Sequence, residues 1–434
     1  MPRTPPKWLR NGASVSFTVF ASLAGFATYF SMYAFRKPFA AASFEHVAGW
    51  HFALDFKIAL VLAQIIGYAA SKFIGIKVIG EMQRTYRAKA ILGLIGASWL
   101  ALIAFALVPA IYKVPAMFIN GLCLGLIWGL VISYMEGRRV TEILGAVLCA
   151  SFIVSSGAVK SVGILFMEVV GVPVFWMPAA TGLAFVPLLL ISVWGLSLLP
   201  PPDAADEAAR VRRAPMTGRE IGEFLWEYGL GLTLLVIIYV FITAMRDFRD
   251  NFAAELWSAL GYSNPAAVFT ETEIVVAAVA LVAMSIVVVV RNNARALAVI
   301  HGLILAGLVL LGASTLAFDA GLLGPLPWMI ASGAGLYVVY TPFNAMLFDR
   351  MIAASGRVGN AGFLIYVADA FGYAGSCTLL LWRNFGMQHV EWLTVFRLAI
   401  YTTTIVGLVL VTFSLIYFMG RSRATASVPA LSGT

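Results

Sequence analysis

The 434-residue sequence has few charged side chains: 12% of its residues are charged, about half the 25% of a soluble domain, and 61% are hydrophobic. It also has few of the residues that form enzyme sites. Its three cysteines lie in apolar segments without the short spacing of metal ligands, and its four histidines are scattered. We find no nucleophile–base set and no glycine-rich phosphate loop. These shortages argue against an enzyme, and we expect no metal and no cofactor.

Long apolar runs recur from end to end, and the mean hydropathy is +0.91. They predict an all-α membrane protein in contact with the lipid bilayer. The first run after the basic residues 1–11 is long enough to span and is followed by others, so we expect no removable targeting peptide. Twelve transmembrane helices are predicted at 15–41, 54–79, 88–110, 115–135, 142–170, 174–198, 224–250, 267–290, 294–316, 324–348, 357–383 and 394–419.

The distribution of lysine and arginine predicts the orientation. Most of these residues fall at the termini or in the even-numbered loops, and those left for the other side are Lys57, Lys113, Arg383 and Arg397. Both termini are therefore expected in the cytoplasm. This topology explains the net charge of +8 better than nucleic-acid binding does. The compact loops and the lack of a presequence favour a bacterial inner membrane, and we expect a monomer.

One segment occurs twice. Phe35-Arg36-x-x-Phe39-Ala40-Ala41 returns 213 residues later as Phe248-Arg249-x-x-Phe252-Ala253-Ala254, and the same offset carries Glu136 onto Asp349. Two matches at one offset indicate two parallel six-helix halves around a midplane site. We therefore predict an N-terminal half at 1–199, a cytoplasmic linker at 200–220, a C-terminal half at 221–423 and a tail at 424–434.

Charged residues inside predicted spans are the candidate site residues, because a charge at membrane depth normally faces a cavity or a partner. Arg36 shares a helical face with Tyr29 and Tyr33, while Arg246 and Arg249 lie one turn apart in the seventh span. Arginine donates two parallel hydrogen bonds to a phosphate or carboxylate, so two such groups would clamp one anion. The alternative is that these arginines snorkel to the membrane surface.

Other intramembrane charges are candidates for coupling or for structural ion pairs, namely Lys37, Lys160, Asp369, Glu271 and Glu273. Asp369 is expected either to carry a proton or to pair with a cation, and the two glutamates are expected either to act in coupling or to be solvated at a helix end. Glu136 and Asp349 end two spans on the cytoplasmic side. They form either a latch between the halves or ordinary helix-end charges.

Several of these segments resemble the organophosphate–phosphate antiporter branch of the major facilitator superfamily, which includes the bacterial glycerol-3-phosphate transporter. Tyr29-x-x-x-Tyr33-x-x-Arg36-Lys37-x-Phe39-Ala40 is similar to that family's first helix, although Pro38 replaces its asparagine. Tyr68-x-x-Ser71-Lys72-Phe73-Ile74 is similar to its second helix. The resemblance implies the twelve-helix fold of that superfamily and places Tyr68 and Lys72 in the substrate site.

The second half carries matching segments. Val240-Phe241-x-x-x-x-Arg246 resembles the segment with the family's second phosphate-binding arginine, whereas the internal repeat favours Arg249. Tyr340-Thr341-Pro342 and Phe371-Gly372-Tyr373-x-Gly375 add two tyrosines that are site residues in the family. The sequence also departs from the family: Val154 stands where the family has a histidine, Trp128-Gly129-Leu130 replaces its Trp-Pro-Pro, and its signature after helix two is reduced to Glu81-Met82-Gln83-Arg84.

These patterns predict a secondary transporter of a small organic anion, expected to be phosphate-bearing, that works by alternating access. Two coupling schemes stay open, namely exchange with inorganic phosphate as the counter-substrate and symport with protons through Asp369 or a glutamate of helix eight. The alternatives in substrate and class are a proton-coupled carrier of a carboxylate, and a receptor of this fold that binds a ligand without moving it.

Overall fold

The structure is a computed structural model that describes residues 14–204, 206, 218–262, 266–355 and 361–426. Every regular element within these ranges is helical. In chain order the α-helices are α1 (Val15–Tyr33), α2 (Phe56–Glu81), α3 (Arg84–Leu107), α4 (Ala110–Leu124), α5 (Ile127–Ile132), α6 (Thr141–Glu168), α7 (Met177–Ala184), α8 (Val186–Leu198), α9 (Gly218–Asn251), α10 (Ala253–Ala259), α11 (Ala266–Val289), α12 (Asn293–Asp319), α13 (Pro325–Ala345), α14 (Leu347–Ser355), α15 (Ala361–Gly386) and α16 (Trp392–Ala426).

The helices are those of an integral membrane protein. Ten spans in the described residues are long and apolar enough to cross a bilayer, with α4 and α5 forming one of them, and α7 with α8 forms an eleventh that is bent by 47°. The remaining predicted span, 324–348, corresponds to α13, which has 21 residues, several of them polar. Most of α13 is buried by other helices, so lipid contact does not require it to be uniformly apolar. Trp194, Val282 and Ile405 are instead exposed on the outside of the bundle, as expected for contact with lipid.

The first predicted span is broken near its end. α1 ends at Tyr33. The backbone N–H groups of residues 34–36 donate to carbonyl oxygens three residues earlier, whereas those of an α-helix donate to carbonyl oxygens four residues earlier. A short 3₁₀ helix, Pro38–Ala41, follows. Pro38 has no backbone N–H to donate, so it cannot continue the hydrogen-bond ladder of α1. The break therefore places Arg36 and Lys37 in a turn deep inside the bundle, where both are buried.

Among the described residues, the two sets of six spans meet chiefly along three pairs of α-helices: α6 with α11, α2 with α15, and α6 with α13. The first contact is very close at Gly157, where an added Cβ would lie 2.1 Å from the carbonyl oxygen of Phe269. Small residues let membrane helices approach in this way, and van der Waals packing then holds them together. These contacts bring the interior faces of both halves together around a common centre.

Part of the predicted linker is docked at the end of the bundle where α1 begins, which we call the linker end. The backbone N–H and the side chain of Arg139 both donate to Asp206. Burial raises the pKa of the Asp206 carboxyl, but hydrogen bonds from the backbone of Arg139 and Asp203 and from the Arg139 side chain outweigh it and hold that pKa below its ordinary value. The predicted halves at 1–199 and 221–423 remain a prediction, and much of 200–220 and of the tail lies outside the described residues.

Candidate functional site

A small cavity lies at the centre of the bundle, between the two halves. Its volume is about 20 Å³. That is room for about one water molecule and too little for an organic solute. The cavity is lined by Tyr29, Tyr33, Arg36, Tyr68, Lys72, Trp128, Phe152, Arg246, Tyr340, Asn344 and Tyr373. Eight of the nine substrate-site residues predicted from the sequence are among these eleven, and the ninth, Arg249, lies elsewhere.

Arg36 is a buried cation without a carboxylate partner among the described residues. Its guanidinium carbon lies 4.0 Å from the centre of the Tyr68 ring and 5.7 Å from that of Tyr33. Its Nε is buried and makes no hydrogen bond. An uncompensated charge in a protein interior costs several kcal/mol (order of magnitude), and two cation–π contacts recover only about 1 to 4 kcal/mol of it. Arg36 is therefore the strongest attractor for an anion in this cavity.

Arg246 reaches the same cavity from α9. Its guanidinium carbon lies 4.3 Å from the centre of the Tyr340 ring, and its Nη2 donates to Asp247 at 2.7 Å. The other carboxylate oxygen of Asp247 accepts from Ser376 at 2.7 Å. Asp247 thus neutralises Arg246 in part, and Arg36 and Arg246 give the cavity two guanidinium groups with one local counter-charge.

Lys72 and Asp369 form a buried ion pair that joins α2 to α15 across the two halves. Asp369 also accepts a hydrogen bond from the hydroxyl of Tyr239 at 2.5 Å. Lys72 lines the central cavity, whereas Asp369 lies behind it. The structure therefore places Asp369 in an ion pair, and its predicted role in proton coupling remains a prediction.

Arg249 lies outside the central cavity, in the C-terminal half. Its Nη1 donates to Glu273 at 2.6 Å and its Nη2 donates to the carbonyl oxygen of Met329 at 3.2 Å. Gly333 leaves room for the guanidinium, because an added Cβ there would lie 2.6 Å from Nη2. Glu273 is thus a buried ion-pair partner, while Glu271, two residues earlier on α11, is exposed. The geometry separates the two candidates for the second clamp and favours Arg246.

The central cavity is closed toward the end of the bundle opposite the linker, which we call the far end. Asp250 holds two ammonium groups, with Lys37 and Lys160 each 2.6 Å from one of its carboxylate oxygens. Beyond them, Lys57 lies 2.6 Å from Glu255 and also donates to a backbone carbonyl at 3.0 Å. Both clusters connect the halves. A larger cavity of about 610 Å³ lies at the far end, between residues 43–58 and the segment from Arg383 to Trp392.

An ion pair also connects the halves at the linker end. Arg350, in α14, lies 2.8 Å from Glu142, at the start of α6. The predicted latch residues, Glu136 and Asp349, are not the members of this pair but lie near them in the sequence. Glu136 lies between α5 and α6, and Asp349 lies in the first turn of α14. Their role as a latch remains a prediction. With ion pairs at both ends, the structure is closed around its central cavity.

Comparisons with known proteins identify the family and the fold. A family model, described as a family of unknown function (DUF5690), matches residues 38–421. The chain belongs to this family. Solved structures similar to this DUF5690 chain include a D-xylose-proton symporter, with a TM-score of 0.58 and 15% identity over 92% of this chain and 96% of that one. They also include the human organic anion transporter MFSD10 (TETRAN), with a TM-score of 0.56 and 13% identity over 92% of this chain and 98% of that one.

Both neighbours are transporters of the major facilitator superfamily, so the DUF5690 chain has the fold of that superfamily. At this level of identity the likeness extends to the fold only. It does not single out the organophosphate branch. No curated protein matches the sequence significantly.

The sequence of the DUF5690 chain did not point to three of the cavity residues. Trp128 packs edge-on against Tyr29 with ring centres 5.1 Å apart, and Phe152 lies 6.1 Å from Trp128. Asn344 donates to the Tyr239 hydroxyl at 3.2 Å. Aromatic residues in an apolar helix look like lipid-facing or core residues, so they carry no distinct signal.

Proposed function

We propose that this protein is a secondary transporter that moves a small organic anion across the membrane by alternating access. The observation that carries the proposal is the state of Arg36. The other two cations that line the cavity, Lys72 and Arg246, each pair with a carboxylate, and so do the nearby Lys37, Lys57, Lys160 and Arg249. Arg36 alone among these described cations faces the cavity without one. An anion supplies the missing charge.

The unpaired charge of Arg36 also favours exchange of two anions over one-way transport. When the halves close around a bound anion, Arg36 is neutralised, whereas closure around the empty site leaves a buried guanidinium unpaired. The loaded carrier therefore changes its accessible side more easily than the empty one. The guanidinium of Arg36, with that of Arg246 beside it, suits a phosphate or a carboxylate, because both accept paired hydrogen bonds from the planar fork. We propose a phosphate-bearing solute first, with inorganic phosphate as the counter-substrate.

Phosphate counterflow in proteoliposomes tests this proposal. Vesicles loaded with phosphate should take up labelled phosphate, and vesicles without internal phosphate should not. Arg36→Gln removes a charged hydrogen-bond donor and should lower this uptake by about 10- to 100-fold. Arg291→Gln is the matched control, because Arg291 is exposed in the loop between α11 and α12. Full uptake by Arg36→Gln at equal protein content would contradict the clamp.

Proton-coupled symport of a carboxylate is the second candidate, and the ion pair of Asp369 with Lys72 favours it. Protonation of Asp369 would break a contact between α2 and α15, so it would couple a proton to movement of the halves. Asp369→Asn should then abolish succinate uptake driven by a pH gradient and preserve exchange. If neither a phosphate gradient nor a pH gradient drives flux, while the folded protein binds anions saturably, the protein is a receptor.

A further inference from the structure

The central cavity has an unusual wall for a site that binds small polar anions. Seven of its eleven lining side chains are aromatic, three are cationic and one is an amide. None of the described lining residues is a carboxylate, a glutamine, a serine or a threonine. Such groups donate or accept hydrogen bonds in several directions and can therefore satisfy the hydroxyls of a polyol or a sugar; Asn344 is the one lining residue of comparable capacity.

Several polar atoms of the wall already have hydrogen-bond partners within the protein. The hydroxyls of Tyr29 and Tyr68 lie 3.3 Å apart, and that of Tyr340 accepts from Tyr239 at 3.4 Å. Asn344 donates to the Tyr239 hydroxyl and to a backbone carbonyl. A hydroxyl-rich solute would have to break these bonds or lose hydrogen bonds with water. Leaving one such group unpaired on burial costs about 1 to 3 kcal/mol.

The rings of Tyr29, Trp128, Phe152 and Tyr340 form a continuous wall that crosses from one half to the other. Trp128 packs edge-on against Tyr29, with ring centres 5.1 Å apart. From there Phe152 reaches across to the other half, where its ring centre lies 5.9 Å from that of Tyr340 at an angle of 83°. This edge-on contact between the halves is the geometry that a third flat ring can join or replace.

We infer that the cavity selects an anion that carries a flat apolar ring and few hydroxyl groups, with its phosphate or carboxylate on Arg36 and its ring between Phe152 and Tyr340. This substrate class rests on the proposed function. It narrows the small organic anion that the sequence predicts to one class. Opening of the halves would exchange the contact of Phe152 with Tyr340 for contacts of both rings with the solute.

Binding of four probes to the purified full chain in detergent tests the inference by calorimetry. Phenyl phosphate is compared with glycerol phosphate, and benzoate with glycerate, so that each pair shares its anionic group. The ring-bearing member of at least one pair should bind about tenfold more tightly. Phe152→Leu should lower the affinity for that ring-bearing probe by about two- to tenfold and leave the affinity for its hydroxyl-bearing partner unchanged.

Two further variants complete the design. Trp128→Leu replaces Phe152→Leu if the latter fails to elute as a single folded species. Phe385→Leu removes an exposed ring outside the cavity and should change no affinity. Equal affinities within both pairs, or tighter binding of the hydroxyl-bearing members, would overturn the inference and leave the anion site intact. If folded wild-type protein binds none of the four probes, the proposed function fails, and the inference fails with it.

Discussion

The two copies of the repeated segment have nearly the same sequence and different surroundings. In the first, Arg36 lies in a turn, faces the central cavity and has no carboxylate partner among the described residues. In the second, Arg249 lies within α9, faces away from that cavity and pairs with Glu273. One arginine has no carboxylate partner among the described residues, and the other is held in an ion pair within the C-terminal half. Internal duplication therefore identifies a structural position, and its surroundings decide the function.

Two local differences at matching positions explain the different outcomes. Pro38 breaks the helix in the first half, whereas Asn251, 213 residues later, ends α9 and donates back to the carbonyl oxygen of Asp247 at 2.8 Å. Asn120 fills the interior of the first half by bonding to the backbone of Phe35 at 2.9 Å. Its counterpart at the same offset is Gly333, and the space without a side chain holds the Arg249 guanidinium.

A third matching pair is where the two segments meet. Lys37 and Asp250 occupy the same position in the repeat, and they contact each other at 2.6 Å. Equivalent positions of two pseudo-symmetric halves can touch only near the symmetry axis, where identical charges would repel. Opposite charges at this position turn that repulsion into attraction between the halves. The repeat has therefore diverged where symmetry would be most costly.

The largest expected effect that separates the two arginines is on stability. Arg249→Gln leaves Glu273 as a buried unpaired carboxylate and should lower the free energy of unfolding by about 3 to 5 kcal/mol. Arg36→Gln removes an unpaired charge and should leave stability equal or higher. Thermal unfolding of both variants in the same detergent measures the difference.

The double variant Arg249→Gln/Glu273→Gln is the control for that comparison, because it removes both charges and should recover most of the loss. If Arg36→Gln destabilised the protein as strongly as Arg249→Gln, Arg36 would have a structural partner and the contrast between the two copies would disappear.

A smaller effect is expected from filling the space that distinguishes the second copy. Gly333→Ala places a Cβ 2.6 Å from Nη2 of Arg249 and should cost about 1 to 3 kcal/mol through displacement of that side chain. Gly302→Ala on α12 is the matched control, since an added Cβ there meets nothing within 4 Å. Thermal unfolding compares the two. A neutral Gly333→Ala would show that Arg249 does not depend on this space.

Much of the fold and of the cavity lining was predictable because both rest on strong local signals. Length and hydropathy predict all twelve spans, including α13, which is less uniformly apolar than the others because other helices bury most of it. The cavity-lining tyrosines and Arg36 share one helical face or match short motifs, so their convergence follows from the fold. The choice of Arg246 over Arg249 was harder, because both lie one turn apart on α9 and only the position of Glu273 on α11 separates them.

Other features could not be predicted, since they depend on contacts between distant segments. Asp250 is one residue from Arg249 in the sequence, and nothing there shows that it holds both Lys37 and Lys160. The cavity rings of Trp128 and Phe152 resemble any aromatic residue in an apolar helix. Glu142 and Arg350 become a pair only when α6 and α14 approach at the linker end.

The smallest expected effect concerns that last pair, which lies close to the second repeated position, Glu136 and Asp349. The side chain of Arg350 is 11% exposed and that of Glu142 is 30% exposed. A partly solvated ion pair of this kind contributes up to about 1 kcal/mol. Its removal should shift the halves toward opening at the linker end by about fivefold at most.

Thiol labelling measures this shift. In a background without native cysteines, Phe152→Cys places a thiol in the central cavity, and a membrane-impermeant reagent is added on the linker side. Arg350→Gln should raise the labelling rate by about two- to fivefold at low salt and by less at high salt, because salt screens exposed charges. Arg291→Gln should not change the rate. If Asp349→Asn raises the rate more than Arg350→Gln does, the latch belongs to the repeated position, and the two halves have kept their symmetry at the linker end while losing it at the arginines.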